Sequence, residues 1–134
     1  QPDLDLENLR VTLVPQLSRS EDLLLATRWI AILAGRVGLS LAATGGVHTA
    51  RDALKVLFAG ADIAHLCSAL LERGPQHLGR VLAEMEAWLE EHEYASVAQL
   101  KGSLSHERTA DPAAFARAHY VSIVRSSRGQ FPYA

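Results

Sequence analysis

One cysteine, Cys67, in 134 residues excludes an internal disulfide framework. No apolar run approaches the 18 or more residues of a spanning helix, which excludes a transmembrane segment of that kind. Charge of one sign is also lacking: fifteen acids against thirteen Lys and Arg leave a formal charge of −2, so there is no chain-wide basic footprint for nucleic acid or an anionic membrane. The chain opens on Gln1-Pro2 without an initiator Met, and no basic stretch leads into an apolar core, so no secretory leader is expected. A reducing, cytoplasmic setting and an origin as a piece of a longer protein are the corresponding expectations. What is present is ordinary globular material. Hydrophobic residues make up 49% and charged residues 21%, enough for one core that buries roughly two thirds of the unfolded chain's surface.

Organisation follows from spacing. Residues 1–20 hold an acidic lead (Asp3, Asp5, Glu7) and the alternating Arg10-Val11-Thr12-Leu13-Val14 stopped by Pro15, which reads as an edge strand or half a hairpin. Ser18 and Glu21 have capping-box spacing, and Ala26, Trp29, Ile30, Leu33 and Val37 recur helically, predicting a largely buried helix of about four turns. Residues 39–43 are short and apolar enough for a strand covered on both faces, and residues 62–66 read as a second. Between them lie Thr44-Gly45-Gly46-Val47, a capping box at Thr49 and Asp52, and a helix ended by Gly60, so 39–67 reads as a parallel βαβ unit. A helical turn over 68–73 is broken by Gly74-Pro75. The amphipathic stripe Leu78, Val81, Leu82, Met85, Trp88 and Leu89 comes next. Ser96 and Gln99 open a short helix ended by Gly102, and Asp111-Pro112 opens a last one through Phe115, Ala118, Val121 and Val124.

The chemistry concentrates at two turns. A Gly-Gly turn after a buried strand lets the backbone approach a ligand closely, and the helix start behind it favours an anion. The second strand runs into Cys67-Ser68-Ala69, where another helical turn begins, so two sets of amides are expected around one phosphate-sized point. That pairing is the phosphate site of the last two strands of a TIM barrel, at its C-terminal face. A dinucleotide fingerprint is disfavoured, because the turn lacks the third glycine and no acid ends the second strand. Cys67 has no His or acid at a motif spacing and reads as a small strand-end residue. Histidines 48, 65, 77, 92, 106 and 119 form no H-E-x-x-H or Cys/His cluster, so no metal site is expected. His48, beside the turn, reads either as leaning toward a phosphate or as a solvated loop residue. Lys55 and the glutamates at 84, 86, 90, 91 and 93 read as solvated helix charges.

The stretch Ala43-Thr44-Gly45-Gly46-Val47 through Asp52-Ala53, Ala59-Gly60-Ala61-Asp62 and Cys67-Ser68-Ala69-Leu70 resembles the last two strands of flavin-dependent TIM barrels. Gly74-Pro75 and then Glu93-Tyr94-Ala95-Ser96-Val97-Ala98-Gln99-Leu100-Lys101-Gly102 resemble the C-terminal signature of class 1 dihydroorotate dehydrogenases and their bacterial relatives. The run Arg28-Trp29-Ile30-Ala31-Ile32-Leu33 is similar to the dehydrogenase-like relatives, and the resemblance covers about residues 20–105.

It implies an α/β fold, the C-terminal portion of a (β/α)8 barrel. Residues 1–20 would be a lead-in, 21–93 the last two βα units with the following helix, and 94–134 a helical extension. It implies FMN as cofactor, with Thr44, Gly45, Gly46, Cys67 and Ser68 at its phosphate, and oxidation of dihydroorotate to orotate in pyrimidine biosynthesis. The family's base, its lysine over the flavin and its substrate-holding asparagines lie on earlier strands, so no catalytic residue is expected here. Two alternatives stay open: a piece of another phosphate-binding barrel enzyme with a phosphorylated substrate, and a stand-alone helical interaction module. Unpaired strand edges and apolar stripes predict assembly with the remainder of the barrel or with a second copy, as a homo-oligomer.

Overall fold

The structure, a computed structural model, describes residues 2–13 and 16–116. It is mixed α/β with two small sheets. Strands β1 (Pro2–Asp5) and β2 (Arg10–Leu13) pair antiparallel, with Pro2 opposite Leu13 and Asp5 opposite Arg10. The acidic lead is therefore a strand in its own right and completes a hairpin of which only the second half was expected. Asp5 closes it: its carboxylate accepts from the Asn8 amide and side chain and from Arg10 Nε, holding the carboxyl below its ordinary value. Leu4, Leu6, Leu9, Val11 and Leu13 are all exposed.

Helix α1 (Leu23–Leu33) follows a 3-10 turn over Ser20–Asp22. The expected Ser18/Glu21 capping box is not formed. The Arg19 amide donates to Asp22 instead, and Ser18 is turned inward. The helix is also shorter and less buried than its periodicity suggested. It ends at Leu33, before Gly35 at φ +81°, and Leu23, Ile30 and Ala31 are buried while Trp29 is 52% exposed.

The βαβ unit forms as expected. Strands β3 (Ala42–Ala43) and β4 (Ile63–Ala64) are parallel, with Ala42 opposite Ile63 and Ala43 opposite Ala64. Helix α2 (Ala50–Ala59) joins them, started by the Thr49/Asp52 box and ended by Gly60 in the left-handed region. The strands are shorter than residues 39–43 and 62–66, and they are covered on one face, not two. Ala43 is fully buried, whereas Ala42 and Ile63 are exposed. On the covered face the core is small-residue packing: Ala31, Ala43, Ala53, Ala59 and Ala61 let α1 and α2 lie close to the strands.

Helices α3 (Ser68–Arg73) and α4 (His77–Glu91) meet at Gly74-Pro75. Only part of the α4 stripe is covered, with Val81 buried and Leu78 and Leu82 exposed. Its far end is fixed by aromatic edges: Phe58 of α2 meets Trp88 at 5.7 Å and Tyr94 at 5.9 Å between ring centroids, both nearly perpendicular. Glu93 at φ +58° reverses the chain there. Helix α5 (Val97–Leu100) then plugs fully buried Leu100 against Leu54 and Leu57. Residues 102–106 run back over the helix ends, where the Gly102, Leu104 and His106 amides donate to the Leu57, Phe58 and Ala31 carbonyls. These are the terminal acceptors a helix cannot satisfy internally. Helix α6 (Ala113–Ala116) starts after Asp111-Pro112 as expected, and its continuation through Ala118, Val121 and Val124 lies outside the described residues. Among the described residues no helix is long and apolar enough to cross a membrane.

Candidate functional site

All five residues singled out from the sequence line one pocket of about 180 Å³: Thr44, Gly45, Gly46, Cys67 and Ser68, joined by Ser18, Val47 and His65. It lies just past the C-terminal ends of β3 and β4, so the parallel pairing itself brings the two turns together. The two glycines serve different needs. Gly45 has φ +80°, and among the described residues a Cβ there would meet only Ser18 Cβ at 4.0 Å, so its place beside the pocket is open. Gly46 has φ +79°, but a Cβ would fall 2.6 Å from the Leu23 amide nitrogen and 2.8 Å from the Arg19 carbonyl oxygen. Its further requirement is close packing against the start of α1, where a sharp turn and close approach to a ligand had been expected.

Ser18 is the site residue that sequence reasoning missed as such. Its hydroxyl accepts from the Gly46 amide at 3.0 Å and lies 2.8 Å from Ser68 Oγ, which in turn accepts from the Ser18 amide at 3.0 Å. The proton count is informative, because each hydroxyl carries one proton and can accept twice. One proton suffices for the contact between the two oxygens. Whichever serine donates, the other hydroxyl proton is left over beside the pocket. That leftover donor suits an acceptor-rich ligand.

The amide of Gly46 is thus already engaged, and in the first turn of α2 the amide of Asp52 is taken by the helix's own box. Asp52 accepts from the His48 and Thr49 amides, and its own amide donates to Thr49 Oγ. Among the described residues, no acceptor engages the Gly45, Cys67 or Ser68 amides. Among the described residues no lysine or arginine lines the pocket. Besides His65, the lining offers backbone amides and hydroxyls, the kind of group that holds a phosphate by hydrogen bonds.

Asp52 ties the start of α2 to the 3-10 turn that precedes α1. It is buried, and its Oδ2 also accepts from Ser20 Oγ at 2.9 Å and Thr49 Oγ at 2.9 Å. Burial alone would raise its carboxyl, but the hydrogen bonds from Ser20, Thr49 and the His48 and Thr49 amides hold it below the ordinary carboxylate value. A depressed folded value means the stabilisation is fully present above the unfolded value of about 3.9 and is lost as pH falls through the folded one. Asp52→Asn is therefore expected to cost about 2 kcal/mol in denaturant unfolding near neutral pH. The gap to wild type should shrink below about pH 4. A gap that stays constant down to pH 2 would contradict the ionised role.

The histidines separate. His48 is buried, which corrects both sequence readings of it: its ring turns away from solvent and Nε2 lies 2.6 Å from the Ser18 carbonyl oxygen. His65 is exposed at the pocket wall. Cys67 is a free, exposed thiol. Among the described residues no cluster of His, Cys, Asp or Glu could hold a metal.

No family model matches the chain. Curated proteins do. A dihydroorotate dehydrogenase A (fumarate) of Lactococcus lactis is 32% identical over 66 residues, 49% of this chain and 21% of that protein. A dihydroorotate dehydrogenase (quinone) of Rhizobium rhizogenes is 37% identical over 76 residues, 55% of this chain and 21% of its own length. Another quinone type, from Mesorhizobium japonicum, is 33% identical over 66 residues, 49% of this chain and 18% of its own. Both fumarate and quinone types are thus represented, and the chain spans about a fifth of the length of these relatives. Over about half its length, this chain is similar in sequence to the dihydroorotate dehydrogenases.

Proposed function

We propose that this chain is the C-terminal part of an FMN-dependent, dihydroorotate dehydrogenase-like (β/α)8 enzyme and that it supplies the pocket for the FMN phosphate. The observation that carries the reading is the convergence of Thr44, Gly45, Gly46, Cys67 and Ser68 on one donor-lined pocket at the ends of two parallel strands. This is where barrel enzymes bind phosphate groups. The residues fit the group: the Gly45, Cys67 and Ser68 amides and the leftover serine proton are donors, and a phosphate is all acceptor at its oxygens. FMN, when bound, supplies the hydride-accepting chemistry of a dehydrogenase. The chain's own contribution is position: by gripping the phosphate it fixes where the flavin ring stands relative to residues on earlier strands.

The exposed face of β3 and β4, with Ala42 and Ile63, and the apolar residues Leu24, Leu25, Leu78 and Leu82 fit burial by the remainder of such a barrel or by a second copy. The full-length protein with FMN is expected to bleach its flavin absorbance anaerobically when dihydroorotate is added. The 134-residue chain mixed with FMN, dihydroorotate and a dye acceptor should show no turnover above free FMN. Turnover by the short chain would place the chemistry within it, and a full-length protein whose bound flavin ignores dihydroorotate would refute the substrate.

A further inference from the structure

Ser18 lies in residues 16–19, which form no helix or strand ahead of the 3-10 turn, yet both its amide and its hydroxyl take part in the pocket. Something has to hold it there. The carbonyl of the same residue is held by His48, whose Nε2 is 2.6 Å away. A carbonyl can only accept, so Nε2 carries the proton and donates. His48 is itself fixed at both ends of its backbone. Its amide donates to Asp52 Oδ2 at 3.2 Å, and its carbonyl accepts from Nε2 of buried His77 on α4 at 2.8 Å. Its second ring nitrogen faces Glu72 of α3 at 3.9 Å, beyond hydrogen-bond length. Among the described residues the ring therefore makes one hydrogen bond, and that bond holds the Ser18 carbonyl.

We propose that His48 is a positioning residue of the phosphate pocket, acting through the Ser18 carbonyl to keep the Ser18 hydroxyl between the Gly46 amide and Ser68 Oγ. The proposal rests on the functional reading above and goes beyond it, because His48 is not among the residues that line the pocket. His77 braces the brace, linking α4 to the glycine turn. Losing the ring donor frees the Ser18 segment, and both the serine pair and its leftover proton lose their fixed place. The effect falls on the phosphate end of a ligand and spares the ring end.

The test compares FMN with riboflavin, which lacks the phosphate, on the full-length protein. His48→Phe keeps a ring but no donor, and His48→Gln returns an amide N–H at the place of Nε2. Loss of one net hydrogen bond predicts FMN binding about tenfold weaker in His48→Phe and near wild type in His48→Gln, with riboflavin affinity the same in all three. Unchanged FMN binding in His48→Phe overturns the proposal. So does an equal loss for riboflavin, or a His48→Gln variant as weak as His48→Phe, since either result assigns the effect to packing. If His48→Phe does not fold, nitrogen-15 spectra of the histidine rings in the wild-type protein decide instead. The His48 Nε2–H resonance should shift with FMN and not with riboflavin, and an unresponsive ring refutes the role. Wild-type protein that binds FMN no better than riboflavin overturns the functional reading itself, a result distinguishable from a failure confined to the variants.

Discussion

Gly46→Ala is expected to destabilise the fold by about 3 kcal/mol, the sum of a left-handed backbone forced on alanine and an overpacked contact. The Cβ would fall 2.6 Å from the Leu23 amide nitrogen, 2.8 Å from the Arg19 carbonyl oxygen and 2.9 Å from Leu23 Cβ. Two of those three atoms are backbone. Neither can yield without dismantling the 3-10 turn or lifting Leu23, which is 1% exposed and anchors α1 in the core. Because the Gly46 amide also donates to Ser18 Oγ, the same substitution should distort the pocket. Denaturant unfolding measures the first effect. A loss below about 1 kcal/mol would mean that the close packing of this turn on α1 is not a feature of the folded protein.

Gly45→Asp is expected to abolish FMN binding with little cost to folding. At φ +80° glycine is favoured, yet Asp and Asn are among the side chains that tolerate this region best, and nothing nearer than Ser18 Cβ at 4.0 Å stands in the way. A carboxylate there would lie beside the phosphate. Two like charges about 4 Å apart near a protein surface repel by about 4 kcal/mol, or roughly a thousandfold in affinity. Gly45→Asn is the control, with the same shape and conformation but no charge, and should weaken FMN binding by about tenfold or less. Flavin fluorescence titration of the two variants separates charge from bulk. Equal affinities for Asp and Asn would show that no anion sits at Gly45.

The sequence made local features legible where their cause is local. Thr49 and Asp52 are three residues apart and cap their own helix, and Gly60 ends it for want of a Cβ. The parallel pairing of β3 and β4 followed from a glycine turn and a helix between two short apolar runs. The Ser18/Glu21 spacing misled because the Ser18 hydroxyl is engaged by Ser68, fifty positions away, a partner no local pattern encodes. Burial was misjudged for a related reason. Periodicity shows that Trp29, Leu78 and Leu82 share apolar helix faces, but not whether anything covers them, and in this chain they are exposed. His48 was ambiguous for the same cause, since its burial depends on α3 and α4, whose packing on the turn lies beyond its sequence neighbourhood.

A crystal structure of the full-length protein grown with FMN tests the phosphate-pocket assignment most directly. The expected result is the flavin phosphate in the pocket of Thr44, Gly45, Gly46, Cys67 and Ser68, its oxygens about 2.9 Å from the Gly45, Cys67 and Ser68 amide nitrogens and one of them on a serine hydroxyl. A flavin whose phosphate is held elsewhere, with this pocket filled by water or side chains, would contradict it.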